Sequence, residues 1–495
     1  MKESEESSED GDMPRGDAID EMDTKKNLFI NFDKESIDVS LSNDMCAIKK
    51  RSYSSTSNMF KEWVFMSHWS NTSAEICNQN TLHSLKHLPS NDRKSNAFLM
   101  AVNMQSMILG TSVLGLPYCV KIAGVWALFA IILIGLATAF TSALLGDCQY
   151  QVSLSEPGKT KRIHISFVDM SKRCMGKYGT FIIKGLVYLS LLRNVIVLIL
   201  LTDLTDNVFK EFMITEITNK DYITLSWMLA SIPLLLIDKV SYLAWVSFIG
   251  LKLYLFALLA ILVICCINYE SWDFQAISWE TNTEGIGIAL GIIINSISVH
   301  MNLPSLEGSL KNPNQYKTVS HATFLFNNVT KIAFASFGFL TYTESTREEI
   351  IGNITSFPPL PTILQIAMIF FTFFTIPMSS FVAFELLDNS VKKYFHVLGK
   401  MSWIILSRLV CMAFVLLIAL LVPHFGLVVS LIGSVRGTVI CLVLPPLFYI
   451  KLKTHQIKTY KLVLSWFVMI FGLCAGFLGF YSSVKVLITG KVEKL

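Results

Sequence analysis

The sequence is poor in charge and rich in apolar residues. Only 16% of its 495 residues are charged, whereas 52% are hydrophobic. This balance excludes an ordinary soluble domain and is typical of a protein that spans a membrane many times, so we expect the lipid bilayer as its surroundings. The net charge of +4 is too small to indicate a nucleic-acid partner, and none is expected.

Signatures of several chemical functions are also missing. There is no glycine-rich phosphate loop, no nucleophile elbow and no cluster of residues at metal-ligand spacing. The ten cysteines include no C-x-x-C pair, which leaves zinc and redox chemistry with little support. We therefore expect no enzyme activity, no metal and no cofactor, and ATP-driven transport is disfavoured.

The N-terminal part of the chain lacks apolar segments. Residues 1–30 are acidic and polar, so no signal peptide is predicted and the first apolar segment is expected to act as an internal signal anchor. A Ser- and Asn-rich stretch follows from Ser52 to Ser95. Low hydrophobicity with clustered charge predicts that residues 1–95 form a cytosolic, largely disordered tail.

Eleven apolar segments follow this tail. Most of them exceed the roughly 20 residues that a membrane-spanning helix needs. They predict an all-α polytopic membrane protein with 11 transmembrane helices. The segments are Ala97–Tyr118, Val125–Leu145, Thr180–Thr202, Tyr222–Ile237, Ser241–Ile267, Ile286–Leu306, Thr318–Tyr342, Pro361–Leu387, Met401–Val422, Phe425–Ile450 and Lys461–Ile488.

Lysine and arginine are distributed unevenly among the loops between these segments. The even-numbered loops, counted together with Lys461 at the start of the eleventh segment, hold sixteen of these residues, and the odd-numbered loops hold four. Because positively charged loops stay in the cytosol, the N-terminus is predicted to be cytosolic and the C-terminus luminal or extracellular. The sequon at Asn353 then lies outside the cytosol, where it is a candidate for glycosylation.

Two of the apolar segments are interrupted in their middles, and they lie five segments apart. The first contains GTSVLGLP, from Gly110 to Pro117, and the second contains NSISVHMNLP, from Asn295 to Pro304. Gly and Pro free backbone polar groups, which a bilayer tolerates only inside a protein core or beside a watery cavity. Because five is odd, the second copy starts on the opposite side of the membrane. The pattern predicts an inverted-repeat transporter, with repeats at 96–268 and 283–450 and an eleventh helix at 460–489.

The first interruption is the principal candidate for a substrate site. Gly110 and Gly115 allow a ligand to approach the backbone, and free N–H groups at the start of a half-helix attract an anion such as an α-carboxylate. A packing kink is the alternative, since glycine is common in membrane helices.

Ser298 and His300 lie in the second interruption. His300 is a candidate to bind substrate or carry a proton near neutral pH, and the alternative is a histidine bonded to an unwound carbonyl.

Further polar residues lie inside the apolar segments. Arg193 and Arg436 are functional candidates because a guanidinium at that depth is expensive, and we predict that both face the protein interior. Pairing with carbonyls or snorkelling is the alternative. Ser379 and Ser380 follow a proline in the eighth segment, where their hydroxyls are candidate ligands for Na⁺; more often such hydroxyls bond back to their own helix.

Three runs of residues resemble the amino acid/auxin permease family. They are GTSVLGLPY beginning at Gly110, NLPSLEGS beginning at Asn302, and LVPHFGLVVSLIGSVRG beginning at Leu421. The likeness spans about residues 97–488 and is closest to the branch of vesicular inhibitory amino acid transporters, which load GABA and glycine into synaptic vesicles.

This resemblance implies a leucine-transporter-type fold, in which five helices are repeated in inverted orientation and one more helix follows. It also implies an amino-acid substrate and coupling to the vesicular proton-motive force. By the same resemblance, Gly110, Thr111, Ser112 and Gly115 contact the amino and carboxyl groups of the substrate.

The resulting hypothesis is a secondary active transporter that couples small neutral amino acids to H⁺ and resides in a vesicle or another endomembrane. Uptake driven by Na⁺ at the plasma membrane is the alternative within the family. A membrane enzyme or a receptor is a third reading. An enzyme should cluster His, Asp or Glu at one membrane face, and a receptor should have seven spans with outer cysteines; the sequence has neither pattern.

Overall fold

The computed structural model describes the membrane part of the chain. The described residues are 93, 95–152, 160–162, 166–211, 225, 227, 240–279, 282–355, 359–394, 400–422, 424–453 and 457–490. The predicted disordered tail lies outside them except for residues 93 and 95. The predicted fourth span, Tyr222–Ile237, also lies outside them except for residues 225 and 227.

The described residues are almost entirely helical. One short antiparallel hairpin, not predicted from the sequence, joins β1 (Tyr150–Val152) to β2 (Thr160–Arg162). The helices are α1 (Ala97–Ile108), α2 (Leu116–Cys148), α3 (Phe167–Leu189), α4 (Arg193–Glu211), α5 (Val240–Ile267), α6 (Thr283–Ser296), α7 (Leu303–Ser309), α8 (Tyr316–Tyr342), α9 (Leu360–Tyr394), α10 (Lys400–Leu421), α11 (Phe425–Ile432), α12 (Leu444–Leu452) and α13 (Thr459–Thr489).

Length and composition identify the helices that can cross a membrane. Seven stretches of the described residues qualify, so the protein is a multi-pass membrane protein. Of the other predicted spans, the described parts form α1, α8 and α9, and the count of eleven remains a prediction. The seven stretches are Thr111–Cys148, Phe167–Phe209, Ile249–Ile267, Thr283–Ser309, Trp403–Leu421, Phe425–Leu452 and Thr459–Thr489.

The first apolar segment changes conformation where its glycines lie. After α1 ends, Gly110 is extended, with φ −142° and ψ 174°, and a short 3₁₀ turn runs Thr111–Gly115. Helix α2 then begins with proline in its first turn. Gly124 inside α2 has φ 52° and ψ −139°, a conformation that favours glycine. Residues 116–123 and 125–148 are therefore two separate helical stretches.

The second interrupted segment has a similar form. Helix α6 begins after Asn282, whose side chain accepts a hydrogen bond from the Gly285 N–H, as an N-cap does. It ends at Ser296, a 3₁₀ turn follows at His300–Asn302, and α7 continues from there. Each of the two segments thus consists of two helical stretches separated by an interruption of irregular backbone.

Small residues let the central helices approach closely. Helix α6 packs against α2, α11 and α13. A Cβ atom at Gly433 would overlap the carbonyl oxygen of Gly291, so the two backbones touch there. Gly433 begins a π-helical stretch, Gly433–Gly437, that with a second one, Val439–Val443, connects α11 to α12. Such wide turns are rare in proteins, and those that do occur are often found at functional sites.

Candidate functional site

The two interruptions contact each other at the centre of the molecule. The Asn295 side-chain amide donates to the Ser112 hydroxyl at 2.7 Å. The Tyr254 hydroxyl of α5 donates to the Gly110 carbonyl at 2.7 Å, and Tyr254 is itself fully buried. Thr111 is buried as well. The structure therefore brings the predicted residues of the first interruption together with the start of the second.

The two glycines of the first interruption have different surroundings. A Cβ atom at Gly110 would meet only the Arg193 Nη2 atom, at 3.9 Å. A Cβ atom at Gly115 would touch the Glu348 carbonyl oxygen at 3.4 Å and the Ile292 side chain at 3.5 Å. Gly110 thus borders a guanidinium group with room beside it, whereas Gly115 lies among packed protein atoms.

Arg193 and Arg436 lie on opposite sides of this centre. Arg193 is the first residue of α4, and its guanidinium lies beside Gly110 and interacts electrostatically with Tyr254. Arg436 lies in the π-helical stretch, is close enough to Arg193 for their charges to repel, and has a buried Nε without a hydrogen-bond partner. Within the described part of the chain, neither guanidinium forms an ion pair.

His300 is bound away from the first interruption. It is fully buried, and its Nε2 lies 2.9 Å from the Thr141 hydroxyl and 3.1 Å from the Thr138 carbonyl, both on α2. Its ring packs 5.7 Å from that of Phe324 on α8. Ser298 accepts a weak hydrogen bond from the Cys441 thiol, at 3.6 Å. These contacts place His300 between helices, as a structural histidine would be.

Lys331 of α8 is the buried cation at the second interruption. Its side chain is fully buried, and its ammonium donates to the Ser296 carbonyl at 2.7 Å and to the Ser296 hydroxyl at 3.0 Å. Ser296 is the last residue of α6, and a cation is favourable at the C-terminal end of a helix. No carboxylate group pairs with Lys331 among the described residues.

The hydroxyl groups of α9 bond mostly within their own helix. Ser380 donates to the Ile376 carbonyl at 2.7 Å and accepts from the Asn194 amide at 2.6 Å. Thr372 donates to the Met368 carbonyl. The side chain of Ser379 lies outside the described residues. The hydroxyls that the structure describes are thus engaged with protein groups, and a search of the described residues finds no cluster suited to a metal ion.

A polar cluster closes one end of the interrupted helices, and we call it the Glu307 cluster. It consists of Glu307, Arg93, Tyr150 and Arg162. Glu307 is 1% exposed, and its carboxylate lies 2.9 Å from Arg162 Nε and 3.6 Å from Arg93 Nη1. The Tyr150 hydroxyl donates to the same carboxylate. Burial of Tyr150, followed by its hydrogen bond to Glu307, raises the pKa of this tyrosine. The cluster connects Arg93, four residues before α1, with the hairpin and α7.

A second polar cluster lies at the opposite end, and we call it the Glu348 cluster. Its members are Glu348, Glu349 and His424. Glu348 accepts from the Gly426 N–H at 2.8 Å and lies 3.6 Å from His424 Nδ1. The hydrogen bond to Glu348 raises the pKa of His424. Burial, with the charge of Asp203 second, raises the pKa of Glu349 well above its usual range.

Comparison with known proteins identifies the family. Residues 93–489 match the family described as "Transmembrane amino acid transporter protein". The chain belongs to this family. The match includes both interruptions and both polar clusters, so the site described above lies within the family's common region.

Several characterised relatives of this transporter are similar along most of its length. The vesicular inhibitory amino acid transporter of Xenopus laevis is 25% identical over 410 residues, which is 78% of this chain and 76% of that protein. The vesicular GABA transporter of Caenorhabditis elegans is 24% identical over 79% of this chain and 80% of its own. The amino acid transporter AVT1E of Arabidopsis thaliana is 25% identical over 81% and 75%.

A solved structure supports the fold of the transporter. The inward-facing conformation of Mhp1 superposes with a TM-score of 0.50 and 14% sequence identity, and the match covers 81% of this chain and 92% of that one. At this identity the likeness shows a common fold alone.

Sequence reasoning missed three contributions to the site of the transporter. Lys331 interrupts an apolar segment, and a charge inside a predicted span is a signal that could have found it. Tyr254 and Glu307 carry no local signal, because each acquires its role from partners more than a hundred residues away.

Proposed function

We propose that the protein is a secondary active transporter of amino acids that works by alternating access. In this proposal it has 11 spans, with inverted repeats at 96–268 and 283–450, an eleventh helix at 460–489, and broken first and sixth helices. The positions of the two interruptions and the fold shared with Mhp1 support this organisation.

The substrate site is proposed to lie between the interruptions. The observation that carries this proposal is the hydrogen bond between Asn295 and Ser112, which joins the last turn of α6 to the 3₁₀ turn of the first interruption, 183 residues away in sequence. Irregular backbone at membrane depth offers free N–H and C=O groups to a zwitterion. Gly110, Thr111 and Ser112 are the proposed substrate contacts, and Gly115, Ser298 and His300 have less access to the same space.

The coupling ion is proposed to be H⁺, with Lys331 as the residue that exchanges it. Among the described residues, the ammonium of Lys331 binds the two oxygens of Ser296, at the end of α6. If α6 tilts during transport, both oxygens leave the ammonium, and an unpaired charge in a low-dielectric interior favours release of its proton. His300 is the alternative proton carrier. Na⁺ held by Ser379 and Ser380 is the alternative ion, which the bonds of Ser380 within α9 disfavour.

The cellular location is proposed from the relatives and from loop charge. Two of the relatives are named as vesicular transporters, which favours a vesicle membrane, with the plasma membrane as the alternative. The excess of Lys and Arg in even-numbered loops favours a cytosolic N-terminus and a luminal C-terminus. The small neutral amino acids GABA and glycine, named or implied by those relatives, form the starting panel of substrates.

Uptake into proteoliposomes tests this function directly. The purified full-length protein is reconstituted, and uptake of a panel of labelled amino acids is measured first with an imposed pH gradient and then with an imposed Na⁺ gradient. We expect accumulation that requires the pH gradient and is collapsed by a protonophore. Uptake that requires Na⁺ and ignores the pH gradient would reject proton coupling, and no uptake of any amino acid would reject the transport function.

A further inference from the structure

The space between the interruptions carries an excess of positive charge. Arg193 borders Gly110 at the first interruption, and Arg436 lies between Gly433 and Gly437, which pack against Asn295 and Ile294 at the end of α6. Both residues are partly buried. Lys331 adds a third cation at Ser296.

Nearby negative charge does not balance these cations. Asp203 and Asp206 lie on the same helix as Arg193, but ten residues along an α-helix correspond to about 15 Å. Glu307 and Glu348 each have partners within their own clusters, and Glu349 lies beside Glu348 in the second of these. Among the described residues, no carboxylate contacts either guanidinium group at the centre.

Two guanidinium groups in a membrane interior, neither contacted by a carboxylate of the described residues, favour an anion supplied from outside the chain. An isolated buried charge is strongly unfavourable, and Arg presents a planar set of donors that matches a carboxylate in two-point contact. The Nε of Arg436 is buried and has no hydrogen-bond partner among the described residues. A neutral amino acid supplies one carboxylate and would leave the second guanidinium unpaired.

We propose that the transporter is selective for amino acids with a second carboxylate, such as glutamate and aspartate, and that Arg193 and Arg436 each bind one carboxylate of the substrate. The inference rests on the proposed transport function and sharpens its substrate class. The ammonium group of the substrate is then left to the carbonyl groups at the C-terminal end of α1, where a cation is favourable.

Binding and uptake of isosteric pairs test the proposal. Purified full-length protein is assayed for thermal stabilisation by L-glutamate against L-glutamine and by L-aspartate against L-asparagine, and the same pairs compete for uptake in proteoliposomes. Each pair differs by one carboxylate and hardly in size. A lost charged hydrogen bond corresponds to about tenfold in affinity, so we expect the acidic member to bind at least about tenfold more tightly.

Single substitutions connect this selectivity with the two arginines. Arg193→Gln and Arg436→Gln should each raise the KM for glutamate by about tenfold or more and leave that for glutamine little changed. Arg193→Lys and Arg436→Lys keep the charge and should retain the acidic preference with weaker binding. Arg408→Gln is the control, because Arg408 belongs to α10, outside both interrupted segments, and lies over the Phe384 ring, 5.9 Å from its centroid.

The possible outcomes separate this inference from the function on which it rests. Preferential binding and uptake of glutamine, glycine or GABA would overturn the acidic selectivity and leave amino-acid transport intact. If that neutral uptake also stopped when chloride was replaced by gluconate, the guanidinium groups would be assigned to chloride instead. Neither binding nor uptake of any amino acid would reject both proposals.

Discussion

Replacing Glu307 with glutamine removes one charge from the best-partnered ion cluster of the molecule. The carboxylate is 1% exposed and faces Arg162 at 2.9 Å and Arg93 at 3.6 Å. Arg162 also donates to the Pro304 carbonyl at 2.6 Å, so this one side chain holds the hairpin against α7. Glu307→Gln keeps the size of the side chain and leaves two guanidinium groups without their anion.

The magnitude follows from burial. Breaking a buried ion pair by removing one partner costs about 3–5 kcal/mol. The two arginines are 19% and 22% exposed, so water recovers part of that loss, and we expect about 2–3 kcal/mol. If the substitution destabilises the state in which the Glu307 cluster is formed, the equilibrium constant for opening of the cluster rises on the order of 100-fold.

Hydrogen exchange of the purified protein measures this shift locally. We expect backbone amides of the hairpin and of α7 to exchange on the order of 100-fold faster in Glu307→Gln, with little change at the Glu348 cluster. Glu284→Gln is the matched control, since Glu284 pairs with Lys485 at the surface, where the side chains are 31% and 45% exposed, and a solvent-exposed pair contributes little to stability.

Two results would refute this reasoning. One is equal exchange in Glu307→Gln and Glu284→Gln. The other is strict additivity of Glu307→Gln with Arg162→Gln, because residues that act as a pair must show coupling in a double-mutant cycle.

Four further outcomes are expected from the structure. Gly110→Val should reduce uptake at least about tenfold, since its methyl groups enter the space beside Arg193, whereas Gly185→Val should be mild because no other atom lies within 4 Å of a Cβ there. Lys331→Met should abolish uptake driven by a pH gradient while exchange of preloaded substrate continues. For protein at the cell surface, an epitope at the N-terminus should need permeabilised cells for labelling, and one at the C-terminus should not. His424→Gln should lower the melting temperature at acidic pH and not at alkaline pH. The raised pKa of His424 in the folded protein stabilises the fold at pH values below the pKa of the unfolded state, and this stabilisation is lost as the pH rises through the pKa of the folded state.

The sequence was sufficient for the coarse fold because the relevant signals are local. Long apolar runs predict membrane helices, and the all-helical, multi-pass architecture and the amino-acid transporter family are confirmed. Helix ends at Ile108 and Ser296 coincide with the predicted interruptions, since the backbone preferences of glycine and proline need no distant partner.

The site was less predictable because its chemistry depends on contacts between distant helices. In sequence His300 is a plausible proton carrier, but in the fold its ring nitrogen is bonded to α2. Gly124 is another example. In sequence Gly124 lies in a predicted loop, which would make Gly124→Val a mild control for Gly110→Val. In the fold its φ of 52° strains any β-branched residue, so Gly185→Val is the better control.

The arrangement of contacts suits a hinge at the interruptions. At one end, the backbone of Ser95 donates to Ser309 at 3.0 Å and accepts from Lys311 at 2.9 Å, which ties the start of α1 to the end of α7. On the other side of the interruptions, Cys119 of α2 contacts the Ala289 carbonyl of α6 at 3.9 Å. The two half-helices at each end are therefore coupled to each other. In the proposed cycle, a substrate that bridges the interruptions contacts both coupled pairs, so its binding energy can bias the opening of one end against the other.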